Sequence, residues 1–193
     1  MKKKIAIFIS GRGSNMKAIV EQCQNGILKD LAEVVLVFAN KETAAGLDFA
    51  ESVGLETKWI TSKGLKRTTF DQKVLTLLED YKIDYIVLAG YMRVLSSIFV
   101  QAYPKQIINI HPADTALHQG LNGYGWAFEN QLTETKVTVH YVDEGLDTGS
   151  VIAQHPVDLK GAETLEEVER RGLAVEHKFY SEVLQKLITS CNK

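Results

Sequence analysis

Proline is scarce, with three in 193 residues, and cysteine scarcer still, with two. So little proline excludes collagen-like and proline-rich extended architectures. Cys23 and Cys191 fall outside any CxxC or metal-ligand spacing, which leaves neither a disulfide framework nor a zinc site and points to a reducing, cytoplasmic compartment. Both read as small buried hydrophobes. No apolar run approaches the ~20 residues of a membrane helix. The stretch 5–9 behind Lys2-Lys3-Lys4 is too short for a signal peptide and stops at Ser10-Gly11. A formal net charge of −2 gives no field to draw the chain to nucleic acid or an anionic membrane, so any anionic ligand must be held by local groups.

What is present is an ordinary globular balance, 45% hydrophobic and 24% charged, on a chain long enough for one well-buried core. Short Ile- and Val-rich runs alternate with longer amphipathic stretches, the pattern of strands joined by crossover helices. Strands are expected over 5–9, 34–39, 57–60, 85–89 and 107–110, with helices starting near Asn15, Ala44, Arg67 and Leu95. This is an α/β fold, a doubly wound, mostly parallel sheet in a single domain. After a loop over 112–125 the rhythm changes. Strands over 136–142 and 150–157 are separated only by a turn-rich link, which predicts one antiparallel pairing. A final helix over 164–189 carries Leu165, Val168, Leu173, Val175, Phe179, Val183, Leu184 and Leu187 at helical spacing, with a kink expected at Gly172.

In an open α/β sheet, ligands gather outside the carboxyl ends of the strands, and the conspicuous polar residues fall there. Asn109 and His111 end the fifth strand two residues apart, so they share a face while Ile108 and Ile110 pack behind them. An amide donor beside an imidazole can hold a carbonyl oxygen as it becomes an oxyanion, which reads as acyl or formyl transfer. His140 lies on a later strand as a structural histidine or a neighbour behind that pair. The run from Asp143 to Gly149 reads either as a turn with solvated acids or as the source of a carboxylate, Asp147, that raises the pKa of His111. Ser10-Gly11-Arg12-Gly13-Ser14-Asn15 sits between strand and helix. It is either a phosphate cradle or a turn capped by Ser14 or Asn15. It is not a dinucleotide fingerprint, because Met16 replaces the third glycine and Asn40-Lys41 replaces the acidic ribose ligand. Gly90-Tyr91-Met92-Arg93-Val94-Leu95 suits a flat heterocycle with a carboxylated tail, or else is a core loop with a solvated arginine. Glu176-His177 and Arg170-Arg171 read as a solvated helix face.

In this order ISGRGSN, LAGYMRVL, IINIHP, VHYVDEGLDTG and VEH resemble the glycinamide ribonucleotide formyltransferases, 10-formyltetrahydrofolate-dependent enzymes of purine synthesis within the folate formyltransferase superfamily. The resemblance covers nearly the whole chain and implies a Rossmann-like formyltransferase fold over 1–193. Residues 1–100 would be a phosphate-binding half and 101–193 a folate and catalytic half. It implies Asn109, His111 and Asp147 as the catalytic trio, with Asn109 and a protonated His111 holding the oxyanion. Gly13, Ser14 and Asn15 would cradle the substrate phosphate, with Glu176 near the ribose. The folate site would take Arg67, Met92, Arg93, Val94, Leu95, Asp143, Glu144, Gly145 and Leu146, with His140 behind the trio. The cosubstrate would be 10-formyltetrahydrofolate, with no metal. The partners would be small molecules, a phosphorylated ribosyl amine and a folate, with no nucleic acid or membrane, on a monomer or homodimer.

The resemblance leaves rivals. Formyltetrahydrofolate deformylase uses the same trio to deliver the formyl group to water, but normally has an added amino-terminal domain, whereas this chain starts at its first strand. A non-catalytic folate- or nucleotide-binding module is another. The motive for it is that Ala113-Asp114-Thr115-Ala116 stands where the family usually has Ser-Leu-Leu-Pro. Asn122 also stands where histidine is common, and Ser181 where proline is usual.

Overall fold

A computed structural model describes residues 1–190, and Cys191 lies outside them. In β1 (Lys3–Ile9), Ile5, Ile7 and Ile9 join one buried cluster while Ala6 and Phe8 join another on the opposite face. A strand covered on both faces reads as an unbroken apolar run, which is why its period of two is invisible in the sequence. β2 (Ala32–Ala39) runs parallel to β1. A register slip there passes over Val35, so Val34 and Val37 face one side and Leu36 and Phe38 the other.

β3 (Thr57–Trp59), β4 (Tyr85–Leu88) and β5 (Ile107–His111) complete the parallel part. β6 (Glu134–Tyr141) pairs antiparallel with β5, and β7 (Val151–Asp158) antiparallel with β6, in a seven-stranded sheet ordered β3-β2-β1-β4-β5-β6-β7. β6 is therefore the one strand running against the rest. It makes two antiparallel pairings where the sequence suggests one. The crossover between β1 and β4, where the strand order reverses, opens the crevice in which such sheets bind ligands.

One face of the sheet is covered by α1 (Ser14–Asn25), α2 (Gly46–Ser52), α5 (Gly123–Glu129) and α6 (Leu165–Ser190). The other is covered by α3 (Arg67–Leu78) and α4 (Ser97–Ala102). The residue that starts α1 is Gly13, in the left-handed region at φ 68°, so neither Ser14 nor Asn15 caps the helix. α5 falls partly in the stretch expected to be loop. Its glycines disfavour helix, but Tyr124 and Ala127 are buried and packing decides the outcome. Asn122 starts α5 at φ 63°, a conformation that asparagine tolerates better than most residues.

α6 runs unbroken from Leu165 to Ser190, without the expected kink. Gly172 serves a different purpose: a Cβ there would overlap the ring of Tyr124, so the glycine lets α5 approach α6 closely. Further along, the fully buried Tyr180 hydroxyl lies 3.1 Å from the carbonyl oxygen of Leu88 and 2.9 Å from that of Ile108, tying α6 to β4 and β5. Gly172→Ala is therefore expected to destabilise the fold by about 1–3 kcal/mol through overpacking. The exposed neighbour change Ala174→Ser should stay within about 0.5 kcal/mol. Urea midpoints of the two variants measure the contrast, and equal midpoints would refute it.

Candidate active site

Asn109 and His111 project from the end of β5 on the parity of Ile107, opposite to Ile108 and Ile110, which pack into the core. Antiparallel pairing with β6 sets Asn109 directly across from His140. Facing residues in such a ladder stand side by side on one face, which brings the second histidine in. Asp147 reaches the same place from the turn after β6, in the left-handed region at φ 53°. That turn is shaped by Asp143, whose Oδ1 accepts the Gly145 N–H at 3.0 Å and the Thr148 hydroxyl at 2.7 Å.

Asp147 is the hub. Its Oδ2 lies 3.3 Å from His111 Nδ1 and accepts the Gly120 N–H at 2.9 Å. Its Oδ1 accepts from Asn109 Nδ2 at 3.3 Å and lies 3.4 Å from His140 Nε2. Asn109 Nδ2 is also 3.2 Å from His140 Nε2, while His140 Nδ1 donates to the Tyr141 carbonyl at 2.8 Å. Burial alone would raise the Asp147 carboxyl. The hydrogen bonds from His140 and Gly120 and the nearby histidine charges overcome it, and the pKa is lowered.

His111 is 3% exposed, and both its ring nitrogens face acceptors: Nδ1 the carboxylate, Nε2 the His118 carbonyl at 3.0 Å. A carbonyl oxygen and a carboxylate can only accept, so the neutral ring can donate to one of them and the imidazolium to both. Burial is the largest influence and lowers the His111 pKa below 6.5, against the upward pull of Asp147 and the His118 carbonyl. Asp147 thus raises this pKa as expected, but the net shift is downward, so the expectation of a protonated His111 is not supported. The carboxylate acts in the expected sense, but desolvation of the ring outweighs it.

A cavity of about 360 Å³ opens onto these groups, within the usual range for small-molecule sites. Its lining includes Met92, Arg93, Val94, Leu95, Asp143, Gly145 and Leu146 together with Asn109, His111, His140 and Asp147. The loop from Gly90 is thus a wall of the cavity rather than plain core. Arg93 is half-buried with its guanidinium 4.3 Å from the Phe70 ring centroid, not solvated. Arg67 and Glu144 are not among the lining residues; both are exposed, and Glu144 accepts from Gln101 Nε2 at 3.2 Å. Gly120 and Leu121 line the cavity and were not expected there. The only sequence signal for them is a glycine in the loop after His111. Residues from both halves of the chain build this wall.

Gly13, Ser14, Asn15 and Glu176 form a separate polar cluster. The first turn of α1 offers N–H groups without intrahelical partners, which suit an anion. Glu176 does not lie on a solvated face: it is 5% exposed, accepts from Asn15 Nδ2 at 2.6 Å and is hydrogen-bonded to the Tyr124 hydroxyl. Burial raises its pKa, and these two bonds oppose that without reversing it. His177 Nε2 is likewise buried, without a hydrogen-bond partner. Arg170 and Arg171 do follow ordinary charge patterning, pairing with Glu167 at 2.8 and 2.7 Å. Among the described residues no group of three or more His, Cys, Asp or Glu is arranged to hold a metal ion.

The formyl transferase family pattern matches residues 3–184. The chain is similar to phosphoribosylglycinamide formyltransferase of Bacillus subtilis (strain 168), at 35% identity over 192 residues, 99% of this chain and 97% of that protein. It is also similar to the trifunctional purine biosynthetic protein adenosine-3 of Homo sapiens, at 37% identity over 95% of this chain, but it spans only 18% of that protein's length. The crystal structure of phosphoribosylglycinamide formyltransferase from Bacillus halodurans superposes with a TM-score of 0.92 at 35% identity, over 98% of this chain and 97% of that one.

Asp147→Asn removes the charge that opposes burial at His111. The imidazole is then expected to titrate at still lower pH, read by NMR from its Cε1–H shift. An unmoved midpoint would show that the carboxylate does not act on the ring.

Proposed function

Since this chain belongs to the formyl transferase family, we propose that it transfers the formyl group of 10-formyltetrahydrofolate to the amine of glycinamide ribonucleotide in purine biosynthesis. The observation that carries the reading is the meeting of Asn109, His111 and Asp147 at one end of an apolar-walled cavity. In it the pterin would lie against the 92–95 segment and the 143–146 turn, while Gly13 to Asn15 would hold the acceptor's phosphate, with Glu176 by its ribose.

The acceptor amine attacks the formyl carbon, forming the new C–N bond, and the carbonyl oxygen becomes negative. Asn109 turns an N–H toward that oxygen. His111, whose ring faces Asp147 at 3.3 Å, takes the proton the amine must lose and becomes an imidazolium against that carboxylate. The positive charge thus appears beside the oxyanion as it develops, which favours the transition state over the ground state. The C–N bond to the folate then breaks, the oxygen reforms the carbonyl, and the proton passes to the departing folate nitrogen.

Asn109→Ala is expected to lower kcat by about 10²–10³, the usual cost of one oxyanion donor. Because His111 acts as a base, activity should fall as pH drops through its lowered pKa and hold above it, in a profile of kcat/KM against pH. The direct test incubates the protein with 10-formyltetrahydrofolate with and without glycinamide ribonucleotide. Tetrahydrofolate release that requires the acceptor supports transfer. Release without it indicates a hydrolase, and no release indicates a binding module.

A further inference from the structure

The segment 91–95 that walls the cavity belongs to no helix or strand, so its shape must be imposed from outside it. On its inner side it is held by packing. Tyr91 and Leu95 are buried in the cluster on the α3 side of the sheet, the Tyr91 ring lies 5.3 Å from Phe8, and the Arg93 guanidinium stands over Phe70. Two side chains from distant parts of the chain fix its ends. Just after β1, the Ser10 hydroxyl accepts the Met92 N–H at 2.8 Å and donates its one proton to Asn40 Oδ1 at 2.6 Å. Spending the proton on Asn40 turns a lone pair toward Met92. At the other end, Asp71 Oδ2 on α3 accepts the Ser96 N–H at 2.6 Å. Asp71 is 1% exposed, and removing that acceptor would leave the Ser96 N–H buried and unpaired. Between these two points the N–H groups of Arg93, Val94 and Leu95 have no hydrogen-bond partner among the described residues.

We propose that Ser10 and Asp71 are positioning residues for the folate: they pin the two ends of the 92–95 segment, so that its backbone N–H groups stand in a fixed row along the cavity wall. Neither side chain lines the cavity, so both act through the segment and not on the ligand. A flat heterocycle with acceptors along its edge is held by donors whose spacing does not change. A wall ordered before binding also spares the entropy of ordering it on binding. Ser10 directly precedes the turn from Gly11 to Asn15, so the same residue sets the folate wall relative to the acceptor's end of the crevice.

The identity of the ligand rests on the formyl-transfer reading; the pinning of the segment does not. The test pairs hydrogen exchange of the Met92 and Ser96 amides in the free protein, read by NMR, with calorimetric titration of tetrahydrofolate. In Ser10→Ala the Met92 amide should exchange about tenfold faster and tetrahydrofolate should bind about tenfold more weakly, the upper end of what one hydrogen bond contributes. Asn40→Ala leaves the hydroxyl in place but unoriented. It should give smaller changes in both readings, and it carries the test if Ser10→Ala does not fold. Asp71→Asn, which keeps an oxygen for Ser96, should weaken tetrahydrofolate binding less than Asp71→Ala does. Its affinity for glycinamide ribonucleotide should stay within about twofold of the wild type, since α3 lies across the sheet from α1. Unchanged exchange, or faster exchange with unchanged tetrahydrofolate affinity, would overturn the proposal. Faster exchange in the variants of a protein that does not bind tetrahydrofolate even as wild type would uphold the pinning and refute the folate reading.

Discussion

A carboxylate withdrawn from water is costly unless other groups replace its hydration, and Asp147 is such a carboxylate, with a side chain only 12% exposed. The surrounding site can be understood as what replaces that water. The Gly120 N–H and the Asn109 amide donate to it, and the rings of His111 and His140 stand 3.3 and 3.4 Å away. They come from the end of β5, from β6 and from the loop after β5, so the carboxylate, itself on a turn, holds those segments together. Its left-handed backbone angle fits this reading, because strain of that kind persists where the surroundings over-determine it.

Much of this was legible from residue order. Alternating apolar runs gave the parallel sheet, and the period of two placed Asn109 and His111 on one face. What escaped were consequences of contact. The kink expected at Gly172 failed because a glycine's purpose depends on what lies opposite it, here the Tyr124 ring. α5 escaped because its glycines argue against helix and only packing argues for it. Glu176 looked solvated because helical charge patterning carries no record of Asn15 or Tyr124, which reach it from distant parts of the chain.

The protonation of His111 was the least legible point. A nearby carboxylate and deep burial push an imidazole in opposite directions, and sequence reveals the partner but not the depth. On the proposed reading, that balance makes the ring a base that acquires its charge during reaction rather than a standing cation. The loop after Pro112 is likewise fixed by contacts that residue order does not show. Asp114, Lys136 and Gln154 form a connected set on three segments, and the loop they hold still reaches the trio.

The facing of Asn109 and His140 across an antiparallel ladder has an evolutionary corollary. Side chains alternate in such a ladder, so a slip of β6 by one residue would put Val139 or Tyr141 opposite the amide and turn the imidazole toward the far helices. Drift in the length of the segment joining β5 to β6 can be absorbed in the intervening loop and α5, but a change within β6 itself is all or nothing. An insertion in the connection is therefore expected to be tolerated where one within β6 is not.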